Sequence, residues 1–315
     1  MSDSRNVAVM KTPRPTLRPL ALALAPCLAL PVALLVAGSA HAQTFPAGDG
    51  NGKLLLTGGV TSIDGAAGGG LTPWAVIGSY ATSGEIGATA FITRAKTQDY
   101  GLTTYGAAVG FKDRIEVSIA RQAFNASVVV PDTTLKLDIV GVKVKVAGDA
   151  VLDADNWMPQ IAVGAEFKRV NPGPAVGGVL DSVAARRDGV DLYLSATKLF
   201  LAQGILVNGT LRATKANQNG LLGFGSADKS GYSIQPEISV AYLLRKNVAV
   251  GAEYRFKPNN LGFAGAAFKE EAWKDIFIAW APTKNVSITA AYVDLGNIVG
   301  HEQQTGGYVS VQLAY

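Results

Sequence analysis

Apolar and polar residues alternate with a period of two along most of the chain from Lys53 onward. The pattern is clearest at residues 114–120 (RIEVSIA), 140–146 (VGVKVKV) and 161–168 (IAVGAEFK). Successive side chains of a β-strand point to opposite faces, so each of these segments has one apolar face and one face of charged or small residues. The pattern predicts an all-β fold in a single domain, with no helical part.

We predict fourteen antiparallel strands, within a range of twelve to sixteen. Most are long enough to cross the hydrocarbon layer of a membrane when tilted, which takes about 9–11 residues. Short connections, such as 112–113 and 245–247, alternate with longer ones, such as 215–232, as in barrels with tight periplasmic turns and longer outer loops. The predicted strands lie at residues 53–62, 71–81, 86–97, 102–111, 114–124, 135–146, 160–170, 190–201, 204–214, 233–244, 248–257, 273–281, 286–295 and 307–315.

Alternation alone also fits a water-soluble β-sandwich or a lipocalin-like barrel with its apolar face inside. A closed barrel of fourteen strands, however, is too wide for side chains to fill. Its faces of small and charged residues suit a hydrated lumen, and aromatic residues near strand ends fit the girdles of membrane barrels. We therefore expect a transmembrane β-barrel in the outer membrane of a Gram-negative bacterium. The aromatic residues are Tyr80, Tyr254, Phe256, Trp280, Tyr292 and Tyr315.

The last predicted strand ends on an aromatic residue. Val309, Val311, Leu313 and Tyr315 all point to one face. A terminal aromatic residue preceded by apolar residues at every second position resembles the signal by which outer-membrane barrels reach the barrel-assembly machinery. We expect this strand to close the barrel against the first predicted strand, near residues 53–60, because an open edge in lipid leaves backbone groups without partners.

The segment 1–42 has the features of a cleaved signal peptide. A positively charged start precedes an apolar run at residues 20–37, and Ala40 and Ala42 supply the small residues that a signal peptidase requires. Two prolines interrupt the apolar run, which argues against an uncleaved anchor. Cleavage after Ala42 would leave residues 43–315 as the barrel domain.

Removing this segment changes the charge of the chain. It holds four of the 28 Lys and Arg residues and one of the 24 acidic residues, so the remainder has a net charge of about +1. The high isoelectric point therefore gives no support for a nucleic-acid partner. The one cysteine, Cys27, is lost with the segment, which excludes disulfides and thiolate metal sites from the mature chain.

Four stretches resemble a family of Gram-negative proteins that are predicted outer-membrane proteins and are described only as a domain of unknown function. They are residues 52–60 (GKLLLTGGV), 65–74 (GAAGGGLTPW), 140–148 (VGVKVKVAG) and 273–296, which begins WKDIFIAW. The resemblance implies the fold and the location of the protein. It implies no activity.

Charged residues on the polar faces of the strands are candidates for lining the lumen. Charges of both signs on neighbouring strands can shape a pore and its field, or can pair across strands and keep the interior hydrated. No sign dominates, so strong ion selectivity is not expected. The candidates are Arg114, Glu116, Lys143, Lys145, Glu166, Lys168, Asp191, Arg212, Glu237, Glu253 and Arg255.

Signals for catalysis or cofactor binding are weak. In the mature chain the only histidine that could act as the base of a serine hydrolase is His301, in a predicted loop, and a solvated loop residue is the simpler interpretation. The glycine run 65–70 lacks the Lys-Ser/Thr of a phosphate loop and suggests a flexible outer loop. Residues 153–156 (DADN) lack the glycine and distal glutamate of a calcium loop. We predict no catalytic, cofactor or metal site.

The leading functional prediction is a porin-like passive channel for small polar solutes. The alternative is a non-conducting barrel whose outer loops bind a partner or lipopolysaccharide. In either case we expect the outer-membrane lipids and the barrel-assembly machinery as its partners.

Overall fold

The computed structural model describes residues 52–151 and 157–315, and its main feature is a closed barrel of twelve antiparallel strands. Each strand pairs with its neighbours in the sequence, and the last pairs with the first of the twelve. Two further short strands, β1 and β2, form a separate hairpin. The strands are β1 (Val60–Thr61), β2 (Ala67–Gly68), β3 (Ile86–Thr97), β4 (Gly101–Phe111), β5 (Ile115–Asn125), β6 (Thr134–Ala147), β7 (Gln160–Asn171), β8 (Asp188–Phe200), β9 (Ile205–Thr214), β10 (Ser233–Arg245), β11 (Val248–Arg255), β12 (Trp273–Thr283), β13 (Val286–Asp294) and β14 (Thr305–Ala314).

The apolar face of the barrel points outward. In β5, Ile115 and Ile119 are exposed, whereas Glu116 and Ser118 are buried inside. Most of the other strands repeat this inversion; Ile276 on β12, for example, is 68% exposed. An apolar surface of this extent is incompatible with water and is the lipid-facing surface of a membrane barrel. The predicted transmembrane barrel is confirmed, and the soluble alternatives do not apply.

The first two predicted strands, 53–62 and 71–81, are not part of the barrel wall. Residues 52–80, the inner segment, run through the lumen instead, with only the hairpin β1–β2 as regular structure. Their apolar side chains, such as Trp74 and Val76, pack against the inside of the wall rather than facing lipid. This accounts for the difference between fourteen predicted and twelve observed strands. Tyr80, predicted to lie in an interfacial girdle, belongs to this segment as well.

The barrel closes between β14 and β3, not against residues 53–60 as the sequence suggested. The amide of Tyr315 donates to the carbonyl of Ala88 at 2.8 Å, and the amide of Ala88 donates to the carbonyl of Tyr315 at 2.9 Å. The terminal residue therefore continues the ladder of hydrogen bonds beyond Ala314. Leu313 and Tyr315 are exposed on the outer face, and Val309 and Val311 share that face but are covered by their neighbours.

The two ends of the barrel differ. The end that carries Tyr315 has tight turns, such as 246–247 and 284–285, and corresponds to the periplasmic side. The other end carries connections that are mostly longer, which we call the outer loops: residues 98–100, 126–133, 172–187, 215–232, 256–272 and 295–304.

One outer loop contains a helix that the sequence pattern did not predict, α1 (Gly173–Ser182). Among the described residues, no helix has the length and apolar content that crossing a membrane would take.

Candidate functional site: a lumen occupied by the inner segment

Nine of the eleven candidate lumen residues are buried inside the barrel. Each projects from the inner face of a strand between β5 and β11, with at most 3% of its surface exposed. Inward placement follows from the alternation of side chains along the strands, since their neighbours face lipid. Their role in conduction remains a prediction. The nine are Glu116, Lys143, Glu166, Lys168, Asp191, Arg212, Glu237, Glu253 and Arg255.

The other two candidates lie at the periplasmic mouth. Lys145 pairs with Asp113. Asp113 also forms an ion pair with Lys53 of the inner segment, at a distance of 2.6 Å. Arg114 is exposed in the turn between β4 and β5, so its assignment to the lumen was wrong. The strand begins one residue later than the alternation suggested, because Lys112 and Asp113 adopt positive φ angles and form the turn. A cavity of about 270 Å³ opens beside Lys53 and Asp113.

Asp64 of the inner segment is the centre of a buried ion network. Its carboxylate lies 2.7 Å from Arg255 and 3.4 Å from Lys168. Asn219, from an outer loop, donates to the same carboxylate at 2.8 Å and accepts from Arg255 at 2.6 Å. A buried charge is tolerated only when it is paired and hydrogen-bonded, and Asp64 meets both conditions.

The wall completes this network. Arg212 lies 2.7 Å from Glu166 and 2.5 Å from Glu237, and Lys168 lies 2.9 Å from Asp191. With Asp64 and Arg255, the network contains four carboxylates and three cations, all almost completely buried. The charges therefore nearly balance within the lumen, and one of the carboxylates belongs to the inner segment.

A second set of contacts holds the hairpin of the inner segment lower in the barrel. Lys143 donates to the carbonyls of Ala67 and Val76, each at 2.8 Å. Glu116 accepts from the amides of Ala67 at 3.0 Å and Gly78 at 2.7 Å, and pairs with Lys143 at 3.1 Å. These wall charges thus hydrogen-bond to backbone groups that are buried in the lumen, although the Ala67 carbonyl also accepts from the amide of Trp74 at 3.1 Å.

The glycine run 65–70 is packed inside the lumen and is not the flexible outer loop that we expected. A Cβ atom on Gly69 would lie 2.1 Å from the Glu253 carboxylate, and one on Gly70 would lie 1.7 Å from the Tyr308 hydroxyl. Glu253 also accepts from the amide of Leu71 at 2.7 Å. Glycine is needed here because the backbone approaches the wall too closely for a side chain.

The remaining sequence candidates do not form a site. His301 lies in an outer loop, with its Nδ1 3.4 Å from the Asp99 carboxylate and its ring edge-on to Tyr100. Residues 153–156 lie outside the described residues. Within 52–151 and 157–315, no three His, Cys, Asp or Glu side chains are grouped so that they could hold a metal ion. The absence of an enzymatic activity remains a prediction.

Sequence reasoning missed Asp64 and Asn219. Asp64 was available as an isolated acidic residue directly before the glycine run, but that run was taken as a solvent-exposed loop. No local pattern marks Asn219, since its role depends on the outer loop 215–232 folding down to the barrel interior. Asn219 has a positive φ angle of 60°, which asparagine tolerates better than most residues do.

A closed antiparallel barrel with an apolar exterior and a charged interior defines the chain as a porin-like outer-membrane β-barrel protein. A family model described as "Protein of unknown function (DUF3034)" matches residues 57–312, most of the chain. The protein therefore belongs to this family, as the resemblance in the sequence implied. No curated protein sequence matches the chain.

Several solved structures have a similar fold. The chain resembles the NanC porin with 10% identity and a TM-score of 0.45, over 73% of this chain and 99% of that one. It resembles the KdgM porin in complex with disordered oligogalacturonate with 12% identity and a TM-score of 0.44, over 73% and 98%. It also resembles outer membrane phospholipase A from Escherichia coli, with 10% identity and a TM-score of 0.39, over 73% and 92%. Likeness at this level does not extend to function.

Proposed function

We propose that the protein is a porin-like channel for small polar solutes and that the inner segment closes this channel at rest. The observation that carries this proposal is the set of polar contacts between the inner segment and the wall. Asp64, Lys143 and Glu116 all take part in it. If the inner segment left, the wall would expose charged and hydroxyl side chains, which water solvates readily, together with the apolar side chains that pack against Trp74 and Val76. A wholly apolar interface would instead leave a lumen that excludes water.

The path of the inner segment makes such a movement feasible. The segment enters and leaves at the periplasmic end, where the amide of Lys53 donates to the carbonyl of Tyr80 at 3.2 Å. It can therefore move out toward the periplasm as one loop, without threading a chain end through the barrel. The wall carries four cations and five carboxylates among its nine buried candidates, so the open lumen would select weakly between ions.

The test is single-channel recording of the refolded protein in planar bilayers. We expect a low resting current with rare openings. Asp64→Asn should raise the frequency of openings at least about tenfold, because weakening the buried ion network by about 1.4 kcal/mol already gives a factor of ten. The hydroxyls of Thr72 and Ser239 are in contact across the interface. A disulfide in the variant Thr72→Cys/Ser239→Cys should therefore hold the segment in place and abolish openings until it is reduced.

The matched controls are the two single cysteine variants. Each loses a hydroxyl of the interface, so its opening frequency can differ from that of the wild type, but it should not change when reductant is added. If neither the wild type nor Asp64→Asn passes current, while both migrate as folded barrels on gels, the channel proposal fails.

That result would favour the second candidate, a non-conducting barrel whose outer loops bind a partner or lipopolysaccharide. The observation in its favour is the apolar cluster that joins the outer loops over the barrel. Such a cluster gives these loops a definite shape, which recognition of a partner requires.

A further inference from the structure

A cavity lies among the outer loops, apart from the ion network of the lumen. Its volume is about 130 Å³. All six outer loops contribute an apolar side chain to its lining, so it is a product of the whole outer end of the barrel. Representatives of the six loops, in chain order, are Tyr100, Val129, Leu180, Leu222, Leu261 and Val299.

The side chains that line the cavity have no polar group free to hydrogen-bond with water. Every side chain that lines the cavity is apolar except Tyr100, whose hydroxyl donates to the carbonyl of Ile298 at 2.9 Å. A cavity holds water only where two to four polar partners are available, and engineered apolar cavities of about 150 Å³ stay dry and bind benzene or xenon. The cavity among the outer loops is close to that size and has a similarly apolar lining, and it differs in having an opening to the surface.

Three aromatic rings contribute to the lining of the cavity. Tyr100 and Phe124 are stacked, with their ring centroids 5.1 Å apart, and Phe268 contributes a third ring. Aromatic side chains favour offset-stacked or edge-to-face contacts with another ring. A flat ring of carbon atoms therefore matches the lining better than a branched aliphatic molecule of equal volume.

The cavity reaches the surface beside α1. Val129 and Val179, both in its lining, are 43% and 44% exposed and mark its entrance. The helix at this entrance is weakly stabilised locally: its N-terminus lacks a capping side chain, and Gly177 and Gly178 reduce its helix propensity. Its buried residues, Val176 and Leu180, hold it against the cavity. The opening beside α1 therefore gives a molecule a path into the cavity.

We propose that this cavity binds a small uncharged apolar molecule the size of one aromatic ring. The proposal goes beyond the channel function and is independent of it, since the cavity does not share residues with the ion network. It also differs from a site for a lipid acyl chain, which is long and flexible and would extend well beyond a volume of about 130 Å³.

The experiment uses fluorobenzene as the probe and ¹⁹F NMR as the readout, with the protein in lipid nanodiscs and empty nanodiscs as the background. Wild-type protein should give a saturable bound signal beyond that of the empty nanodiscs, and benzene should displace it. Val129→Phe places a larger side chain at the entrance of the cavity and should weaken binding at least tenfold. The matched control is Val128→Phe, because Val128 is adjacent to Val129, 44% exposed and not part of the cavity lining. This variant should bind fluorobenzene as the wild type does.

Heat-dependent gel mobility shows whether each variant is folded. If Val129→Phe fails to fold, a second measurement on the wild type still tests the proposal. Crystals of the wild type under xenon pressure should show xenon between α1 and residues 126–133. Binding that is equal in Val129→Phe and wild type, or no saturable signal and no xenon in the wild type, would overturn the proposal. An acyl chain of lipid or detergent found in the cavity would overturn it as well.

Discussion

Single residues determine how closely the inner segment fits the wall. Gly69 and Gly70 bring the backbone against Glu253 and Tyr308, and Asp64 supplies the carboxylate that the cations Arg255 and Lys168 face. The two kinds of contact lie in one short stretch of the inner segment, residues 64–70. Both bring that stretch against the wall.

Gly70→Ala tests this fit. A methyl group there would overlap the Tyr308 hydroxyl, so we expect a loss of about 1–3 kcal/mol in the free energy of unfolding, the usual cost of overpacking. Urea unfolding in lipid vesicles, followed by tryptophan fluorescence, measures it. The control is Gly84→Ala, where the new methyl group meets no atom within 4 Å. Equal stability of the two variants would mean that the inner segment does not pack against β14 in this way.

At the scale of elements, each barrel strand has one face toward lipid and one toward the lumen. Successive side chains alternate between these two faces. On β6, Val142 faces outward between Val117 and Ala165 of the neighbouring strands, whereas Lys143 faces the hairpin of the inner segment. Because the period of a strand is two, this assignment fixes the orientation of all its side chains at once.

Val142→Arg tests the outward assignment. A charge at a lipid-facing position costs about 2–4 kcal/mol near the middle of the bilayer, so the variant should be less stable by up to that amount. Urea unfolding in vesicles gives the difference. The matched control is Val128→Arg, since Val128 is also an exposed valine but lies in an outer loop, where an arginine should change little. A larger effect at Val128 would show that the lipid-facing surface has been misplaced.

At the scale of the whole molecule, closure of the barrel depends on β14. It pairs with β13 on one side and β3 on the other, and the hydrogen bonds between Tyr315 and Ala88 complete the seam. Every backbone group of a strand in lipid needs a partner, so a strand that does not close leaves two edges exposed at once.

Deletion of Tyr315 tests the terminal residue. It removes two hydrogen bonds of the seam and the aromatic residue of the predicted assembly signal, so we expect a several-fold lower yield of folded protein in the outer membrane. Heat-dependent gel mobility of membrane fractions measures this yield. Tyr315→Phe keeps the aromatic ring and the backbone bonds and should assemble normally. Wild-type yields of the deletion variant would show that Tyr315 is not needed for delivery or closure.

Much of the fold could be predicted because it depends on local alternation. The boundaries of β3 and β7 follow the predicted segments to within a residue, and nine lumen candidates point inward as the period of two required. The first two predicted strands were wrong for a specific reason. Residues 53–62 and 71–81 have the apolar content of a wall strand, but their apolar side chains are buried by the lumen instead of by lipid.

The sequence by itself determined the antiparallel barrel, its apolar exterior and its charged interior, since each follows from which residues alternate along a strand. Only the tertiary structure decided that the inner segment occupies the lumen, that Asp64 and Asn219 join the ion network, and that six loops enclose an apolar cavity. These features arise from contacts between residues far apart in the chain. Local periodicity carries no information about such contacts, because burial by lipid and burial by protein select the same apolar residues.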